Sequence, residues 1–288
     1  MRSETQTVGA ALRSASDRLM QAGVENPSVE AERLLQHALN LRRLDLYLAP
    51  DRPTTHGERA RLRDALSRRC GRTPLQYLTG ETEFRSLPFF VNGDVLIPRP
   101  ETETLVETAL TKLRGLPAPR IADVGTGSGC IAVSLTRERP DSRVVATDLS
   151  PAAVRVARAN ALRNGVRDRL RFVVGDLLEA FDPSPLFDAV VSNPPYIPTG
   201  EIPSLQPEVR DHEPRLALDG GEDGLRFHRR LAACAGRCLR RGGWLVLEVG
   251  DGQIDRVGEI LRRSGIFGEV SHRGDMTGVD RVAVARRQ

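Results

Sequence analysis

Three stretches of the chain carry three different hydrophobic rhythms. Over the first 80 residues, apolar positions such as Val8, Leu12 and Leu19, then Leu34, Leu35, Ala38 and Leu39, recur at the spacing of one helix face. Nothing there alternates as a half-buried strand would. Ser28 stands where an N-cap belongs, with Glu30 and Glu32 in the following turn. Thr55 and Glu58 have capping-box spacing ahead of a helix towards Cys70. Pro27, Pro50 and Pro53 punctuate the connections. The pattern predicts a small all-α domain over residues 1–80. Between Glu81 and Ile97 the rhythm shortens: Phe84, Leu87, Phe89, Phe90 and Val91, followed by Asn92-Gly93-Asp94, predict a β-hairpin and turn in a linker over residues 81–99. Pro98 and Pro100 then start a helix with Thr102, Leu105, Val106, Ala109, Leu110 and Leu113 on one face.

After Pro119, short apolar runs alternate with helical patterns. Strands are predicted at Arg120–Val124, Arg143–Thr147, Leu170–Val174, Leu186–Ser192 and Trp244–Val249. Helices are predicted at Ile131–Glu138, Pro151–Asn164 and Leu225–Leu239, and closing strands at Ile266–Ser271 and Arg281–Ala285. Such alternation predicts an α/β domain over residues 100–288, with a mostly parallel sheet covered on both faces.

Composition narrows the class. With 288 residues, 40% hydrophobic and 28% charged, the chain is an ordinary globular mixture. It has no apolar run near the ~20 residues of a membrane span, and Met1–Gln6 lacks the apolar core of a secretory signal. Four scattered cysteines do not make a disulfide framework. A soluble, cytoplasmic protein is expected. Of 42 basic residues only Lys112 is a lysine. The net charge of +4 equals that of residues 1–80, where 13 arginines meet 9 acidic residues. Arg59, Arg61, Arg63, Arg68, Arg69 and Arg72 cluster around Asp64 alone, reading either as a solvated helix face or as a docking face for an acidic protein or RNA.

The first chemical motif is Asp123-Val124-Gly125-Thr126-Gly127-Ser128-Gly129, between a predicted strand and a predicted helix. Its glycines let backbone approach a ligand whose polar groups meet the helix N-terminus. The glycine spacing is not that of a dinucleotide fingerprint, and the lysine of a P-loop is missing. Asp123 is placed to receive a cationic amino group, which nucleotide hydride carriers lack. Asp148 ends the next strand, where a carboxylate can accept both ribose hydroxyls. Gly175-Asp176 ends the strand after that, placed to meet an adenine amino group. Each aspartate alone is an ordinary strand-end residue. Three at successive strand ends describe a nucleoside site at one sheet edge, and together they favour S-adenosylmethionine.

The fourth motif, Asn193-Pro194-Pro195-Tyr196, follows the apolar strand Ala189-Val190-Val191. Asn193 offers an amide carbonyl and Pro194 a backbone carbonyl on a stiff chain. Two rigid acceptors can take both N–H bonds of a planar –NH2 group, with Tyr196 against its flat π-system. Such a nitrogen is a poor nucleophile, and holding both hydrogens orients it for in-line displacement on a sulfonium methyl.

These residues, and four further segments, resemble the release-factor glutamine methyltransferase family. The segments are Thr73–Gly80 (TPLQYLTG), Leu96–Glu103 (LIPRPETE), Asp219–Leu225 (DGGEDGL) and Leu247–Gly250 (LEVG). The likeness covers residues 70–285 well and the N-terminal region loosely. It implies a helical N-terminal domain, a hairpin linker and a seven-stranded, Rossmann-like class I methyltransferase domain. The implied activity is methylation of the side-chain amide nitrogen of the glutamine in the Gly-Gly-Gln motif of peptide chain release factors, with S-adenosylmethionine. By the same resemblance, Gly125, Thr126, Gly127, Ser128 and Gly129 would lie against the methionine and ribose, and Asp148 would bind the ribose. Asp176 and Leu177 would border the adenine, and Asn193, Pro194, Pro195 and Tyr196 would hold the substrate amide, with Asn193 also beside the cofactor. Leu177 stands where family members often have an aromatic residue, so an apolar contact replaces stacking there.

Other residues carry blander readings. Cys234 and Cys238 share a helix face without metal-binding partners nearby and read as core or interface thiols; Cys70 and Cys130 read as unpaired thiols. No metal is expected. His212 stands near the motif loop in sequence, and Arg99 and Glu101 in the linker offer an ion pair between domains. The alternative function is an adenine amino-methyltransferase acting on DNA or RNA, since that amine needs the same acceptors. The chain lacks an obvious target-recognition domain, so nucleic acid is not the expected substrate. A non-catalytic RNA-binding or ribosome-associated module is a third reading, opposed by the intact acceptor loop.

Overall fold

A computed structural model describes residues 6–288, which form two compact units. The first takes the described residues up to Gly80 together with Gln206–His212. It contains helices α1 (Val8–Gln21), α2 (Pro27–Leu39), α3 (Arg43–Leu48), α4 (His56–Cys70) and α5 (Leu75–Thr79), plus the short helix Pro207–His212. Their apolar faces meet in one core that includes Val8, Ala15, Leu19, Leu34, Leu35, Leu62 and Leu66. Thr55 caps α4 as expected: its hydroxyl accepts from the Glu58 N–H, while the Glu58 carboxylate accepts from the Thr55 N–H. Ser28 does not cap α2. The helix begins one residue earlier, at Pro27, whose fixed φ and missing N–H suit the first helical position.

The basic cluster is neither a simple solvated face nor a free docking face. Arg69 is buried and pairs with Glu30 and Glu208, and Arg72 pairs with Glu208 at 2.9 Å and donates to the Gly23 carbonyl. Arg61 donates to the Ala38 carbonyl and Arg59 to that of Thr54. Four of the six arginines thus join elements of their own unit, where a guanidinium supplies several donors in a fixed fork. Arg63 and Arg68 are exposed and make no ion pair with a described residue.

The second unit takes residues 81–205 and 213–288. It opens with the hairpin β1 (Glu81–Phe84) and β2 (Leu87–Phe90), followed by α6 (Thr102–Lys112), β3 (Arg120–Val124), α7 (Cys130–Glu138) and β4 (Arg143–Asp148). Next come α8 (Pro151–Arg163), β5 (Leu170–Val174) and β6 (Phe187–Ser192). In chain order the short helix Pro207–His212 is α9, followed by α10 (Arg226–Cys238), β7 (Leu239–Glu248), α11 (Ile254–Arg263), β8 (Phe267–Gly274) and β9 (Asp280–Arg287). The seven-stranded sheet has the order β5-β4-β3-β6-β7-β9-β8, with β5 to β7 parallel and the last two strands antiparallel. This is the α/β architecture predicted from the alternating pattern. Alternate strand residues serve two cores: Ile121, Ala189, Val191 and Val246 pack with α6 and α7, and Ala122, Val190, Leu245 and Leu247 pack with α10 and α11.

Two local differences have clear causes. The hairpin reverses at Arg85-Ser86, both at positive φ, and not at Asn92-Gly93-Asp94, which forms a later turn closed by Asn92 Oδ1 and the Asp94 N–H. Arg85 is held there by Glu138 through its guanidinium and by Glu103 through its backbone N–H. Strand β7 begins at Leu239 instead of Trp244, because its pairing with β6 jumps from Phe187↔Leu239 to Ala189↔Trp244 across an irregularity.

Asn160 ties hairpin, helix and loop together. Fully buried on α8, it accepts from the Phe90 N–H at 2.6 Å and donates to the carbonyls of Phe90 and Ser128 at 2.9 and 2.8 Å. Asn160→Ala strands these groups without partners, so a loss of about 2–3 kcal/mol is expected. Urea unfolding followed by the fluorescence of Trp244, the chain's single tryptophan, measures it within this unit. A midpoint equal to that of the parent protein would refute the assignment.

Candidate active site

Strand order reverses between β3 and β6: β3 is followed by β4 on one side, while β6 lies on the other. Ligands of open α/β sheets sit at the carboxyl ends of strands at such a point. A cleft open to solvent lies there, lined by residues 124–128, Asp148 to Ser150, Gly175 to Leu177 and Ser192 to Pro195, with contributions from Asp94 to Leu96, Arg99 and Thr102.

Gly125 and Gly127 have φ of +72° and +53°, and a methyl group at either would meet open space, so the backbone itself faces the cleft. Gly129 serves packing instead, since a Cβ there would come within 3.0 Å of that of Ala157. The loop is anchored by the Gly125 and Thr126 N–H groups, both donating to the Thr147 carbonyl at 2.9 Å. Asp148 accepts from the Gly127 N–H through one oxygen and the Ser150 N–H through the other, each at 2.8 Å. Burial raises its pKa against these hydrogen bonds. Asp176 lines the cleft, with one oxygen 2.9 Å from Arg230 on α10. Leu177, at φ +49°, lines it too, as does the half-exposed Leu149, which no local sequence signal marks.

Asp123 does not line the cleft. It lies fully buried, accepting from the Thr126 hydroxyl at 2.6 Å and the Ala132 N–H at 3.1 Å through Oδ2. Its Oδ1 has no partner among the described residues. Burial pushes its carboxyl up to about 7, opposed by those two hydrogen bonds. Thr126, three residues on, is the sequence signal for this inward role.

Asn193, Pro194 and Pro195 border the cleft. Asn193 Nδ2 donates to Thr102 Oγ1 at 3.1 Å, while Oδ1 makes no hydrogen bond with a described residue. Tyr196 does not line the cleft; it packs on Gly250, and its carbonyl accepts from Gln253 Nε2 at 2.8 Å. Burial raises its phenol's pKa. The following residues are laced to the Asp219–Leu225 segment: Ile197 N–H to Leu218, Gly220 N–H to Ile197 and Thr199 N–H to Gly221. A Cβ on Gly220 would come within 2.8 Å of Tyr196 Cα, and one on Gly224 within 2.4 Å of the Tyr196 carbonyl oxygen. Three of the four further segments singled out in the sequence therefore converge on Asn193–Tyr196.

The remaining candidates fall elsewhere. His212 belongs to the helical unit, with Nε2 3.3 Å from the Gly71 carbonyl oxygen. Arg99 pairs with the buried Glu213 at 2.6 Å, inside the sheet unit, and not with Glu101. Cys130, Cys234 and Cys238 are buried free thiols, Cys130 pushed up to about 12 by burial. Among the described residues no group of three or more His, Cys, Asp or Glu could hold a metal ion. No helix of the described residues is long and apolar enough to cross a membrane.

Two family profiles match the chain: the PrmC N-terminal domain over residues 10–80 and the methyltransferase small domain over residues 101–204. It is 46% identical to a release factor glutamine methyltransferase of Geobacter sulfurreducens, covering 93% of this chain and 92% of that one. It is 42% identical to one of Koribacter versatilis, over 98% and 99% of the two chains. Among solved structures it resembles a T. thermophilus 16S rRNA methyltransferase in complex with AdoMet and guanosine, at 18% identity and TM-score 0.53, covering 72% of this chain and 50% of that one. That last likeness is one of fold.

The glycine contacts give a direct test of how the loop is held. Gly224→Ala, at φ +75° and with no room for a methyl group, should loosen residues 193–200. Hydrogen exchange of those amides is expected to speed up at least about tenfold, equivalent to about 1.4 kcal/mol of opening free energy. Unchanged exchange would show that the loop is fixed by other contacts.

Proposed function

This chain belongs to the release factor glutamine methyltransferase family, and we propose that it methylates the side-chain amide nitrogen of the glutamine in the Gly-Gly-Gln motif of peptide chain release factors. It is an S-adenosylmethionine-dependent methyltransferase. The observation that carries the finer reading is the Asn193 amide: its nitrogen is tied to Thr102, so its oxygen is left as the acceptor at the cleft.

The cleft fits the cofactor. Gly125 and Gly127 leave bare backbone for the methionine and ribose, with Thr126, Ser128 and Gly129 completing the turn. Asp148 retains lone pairs for the ribose hydroxyls beyond its two backbone donors. Leu149 and Leu177 offer apolar contacts for the adenine, with Asp176 beside them for its amino group. Asp123 would favour the cofactor's positive charge from beneath the loop, through Thr126 and the field of its buried carboxyl, without touching it. When bound, S-adenosylmethionine supplies a methyl group on a positively charged sulfur.

The chain's own residues then prepare the nucleophile. Asn193 Oδ1 and the Pro194 carbonyl accept the two hydrogens of the glutamine amide, holding its plane and exposing its nitrogen lone pair. Pro195 stiffens the segment. Tyr196 holds it from behind, through Gly250 and Gln253, in place of the π-contact its type first suggests. The amide nitrogen becomes strongly acidic as it is alkylated, so deprotonation follows methyl transfer and needs no base at the start. We assign the helical unit to recognition of the protein around the glutamine, since an amide alone carries little identity.

Mass spectrometry of a release factor after reaction should find one added methyl group on the Gly-Gly-Gln glutamine; a methyl group elsewhere would refute the substrate assignment. Asn193→Ala should bind S-adenosylmethionine within about twofold of wild type but lose about 100-fold or more in single-turnover rate, the scale of a misplaced reactant. Asp148→Ala should do the reverse first, weakening calorimetric cofactor affinity by about 1–2 kcal/mol. Reversing Arg63 and Arg68 to Glu should lower kcat/KM about fivefold for an intact release factor and leave a Gly-Gly-Gln peptide unaffected, with the difference shrinking in salt. Equal losses on protein and peptide would remove these two arginines from recognition.

A further inference from the structure

We propose that Glu213 is a positioning residue that sets how strongly the cleft prefers the charged cofactor over its neutral product, by holding the Arg99 guanidinium and cancelling its charge. The inference deepens the reading above and rests on it. S-adenosylmethionine carries a positive sulfur. Once the methyl group has left, the sulfur keeps the bonding electron pair, and S-adenosylhomocysteine is a neutral thioether. The two ligands differ by one methyl group and one unit of charge. Charges at the cleft therefore act on the first and hardly on the second.

Among the described residues that line the cleft, Arg99 is the one basic residue, against Asp94, Asp148 and Asp176. Its place is set by the backbone. Pro98 and Pro100 flank it, each with a restricted φ, and its carbonyl accepts from the Thr102 N–H at 3.1 Å as α6 begins. Thr102 in turn holds Asn193. A bare guanidinium here would repel a sulfonium and leave a thioether untouched. Arg99 is instead tied to Glu213, its Nη2 donating to Oε2 at 2.6 Å. The Glu213 side chain is 1% exposed and that of Arg99 32%, so the pair has a buried acidic end and an open basic end, with no net charge.

Stability alone does not account for the pair, because well-packed apolar side chains of similar volume commonly hold a fold as well as a buried ion pair does. An ion pair adds a directed link between segments distant in sequence. The chain returns to the sheet unit at Glu213, and the next residue, Pro214, has no N–H with which to tie that return. Pro214, Leu216 and Ala217 then form an apolar stretch of the cleft lining. Its far end is secured by the Leu218 carbonyl, which accepts from the Ile197 N–H at 3.0 Å. Arg99 secures the near end. That link places a cation at the cleft, and Glu213 cancels the repulsion it would exert on a second cation. Burial raises the Glu213 pKa, and the Arg99 guanidinium opposes the rise.

The test is calorimetry of the full-length protein at about pH 8, where carboxylates are ionised, with S-adenosylmethionine and S-adenosylhomocysteine, read as the ratio of the two affinities. Glu213→Gln keeps the shape and an acceptor for Arg99 but leaves the guanidinium charge uncompensated. Affinity for S-adenosylmethionine should fall about 3- to 10-fold, with S-adenosylhomocysteine bound within about twofold of wild type. Arg99→Met, which removes the cation and leaves the carboxylate, should move the ratio the other way, by about twofold or more in favour of S-adenosylmethionine. A pair that only supports the fold would weaken both ligands alike in both variants. Equal losses in Glu213→Gln therefore overturn the proposal. If that variant does not fold, Arg99→Met carries the test, and an unchanged or lowered ratio there overturns the proposal as well. Failure of the wild-type protein to bind S-adenosylmethionine would instead sink the cofactor reading of the cleft, and this role with it.

Discussion

One constraint governs the sheet unit: β6 has to deliver Asn193, Pro194 and Pro195 to the cleft without letting them move. The strand is buried along its whole length, with β3 and β7 parallel on its two sides. Such a strand resists fraying, because Ala189, Val190 and Val191 are paired on both sides and both faces lie in packed cores. The difficulty begins where pairing stops, after Ser192. Its hydroxyl still reaches back to the Val124 carbonyl at 2.6 Å. Beyond it, two prolines remove backbone donors and limit φ, and the rest of the hold comes from outside: Thr102 on Asn193, Gly250 and Gln253 on Tyr196, and the Gly220–Gly224 turn against the Tyr196 backbone. The glycines in those segments are there because something must approach too closely for a side chain.

This explains which parts of the site were legible in the sequence. Asp123 to Gly129, Asp148, Gly175-Asp176 and Asn193 to Tyr196 each declare themselves locally, by residue type at a strand end. Their assembly follows from the sheet topology, which the alternating pattern already implies. Roles that depend on who lies opposite were not legible. Asp123 has the position of a ligand contact, yet it turns beneath the loop to Thr126 and Ala132. Tyr196 has the chemistry of a π-platform, yet it serves as an anchor. The hairpin turn was misplaced because Asn92-Gly93 is the stronger turn signal, whereas Arg85-Ser86 is driven to positive φ while Glu103 and Glu138 hold Arg85. Asn160 gave no sign at all, since nothing local marks a mid-helix asparagine that ties a hairpin edge to a loop.

The arginines of the helical unit teach the same lesson about charge. A count places the whole excess positive charge in residues 1–80 and invites a docking surface. Yet Arg69 and Arg72 converge on Glu208, which stands between Leu205 and Glu213 in a segment that the chain contributes to this unit from the far side of the Asn193 motif. A guanidinium held by two carboxylates and screened from water contributes little to a long-range field, so the sum overstates what a partner would meet. Charge left unpaired at the surface, as at Arg63 and Arg68, is the part that can act at a distance.

The cleft itself inverts that arrangement. Asp123 lies buried beneath the glycine loop and Glu248 at the end of β7, each with an oxygen lacking a partner among the described residues and each pushed up to about 7 by burial, well above the range of a carboxylate in water. A carboxyl whose folded pKa exceeds its unfolded one loses stability as pH rises from about 4 towards 7, because the unfolded chain ionises first. The fold tolerates this loss. A cation in the cleft reverses the sign: it favours the charged forms, lowers both pKa values and returns stability in the same pH range. The two carboxyls therefore favour a positively charged ligand near neutral pH, the more so because Arg99, the basic residue among the described lining, is paired with the buried Glu213.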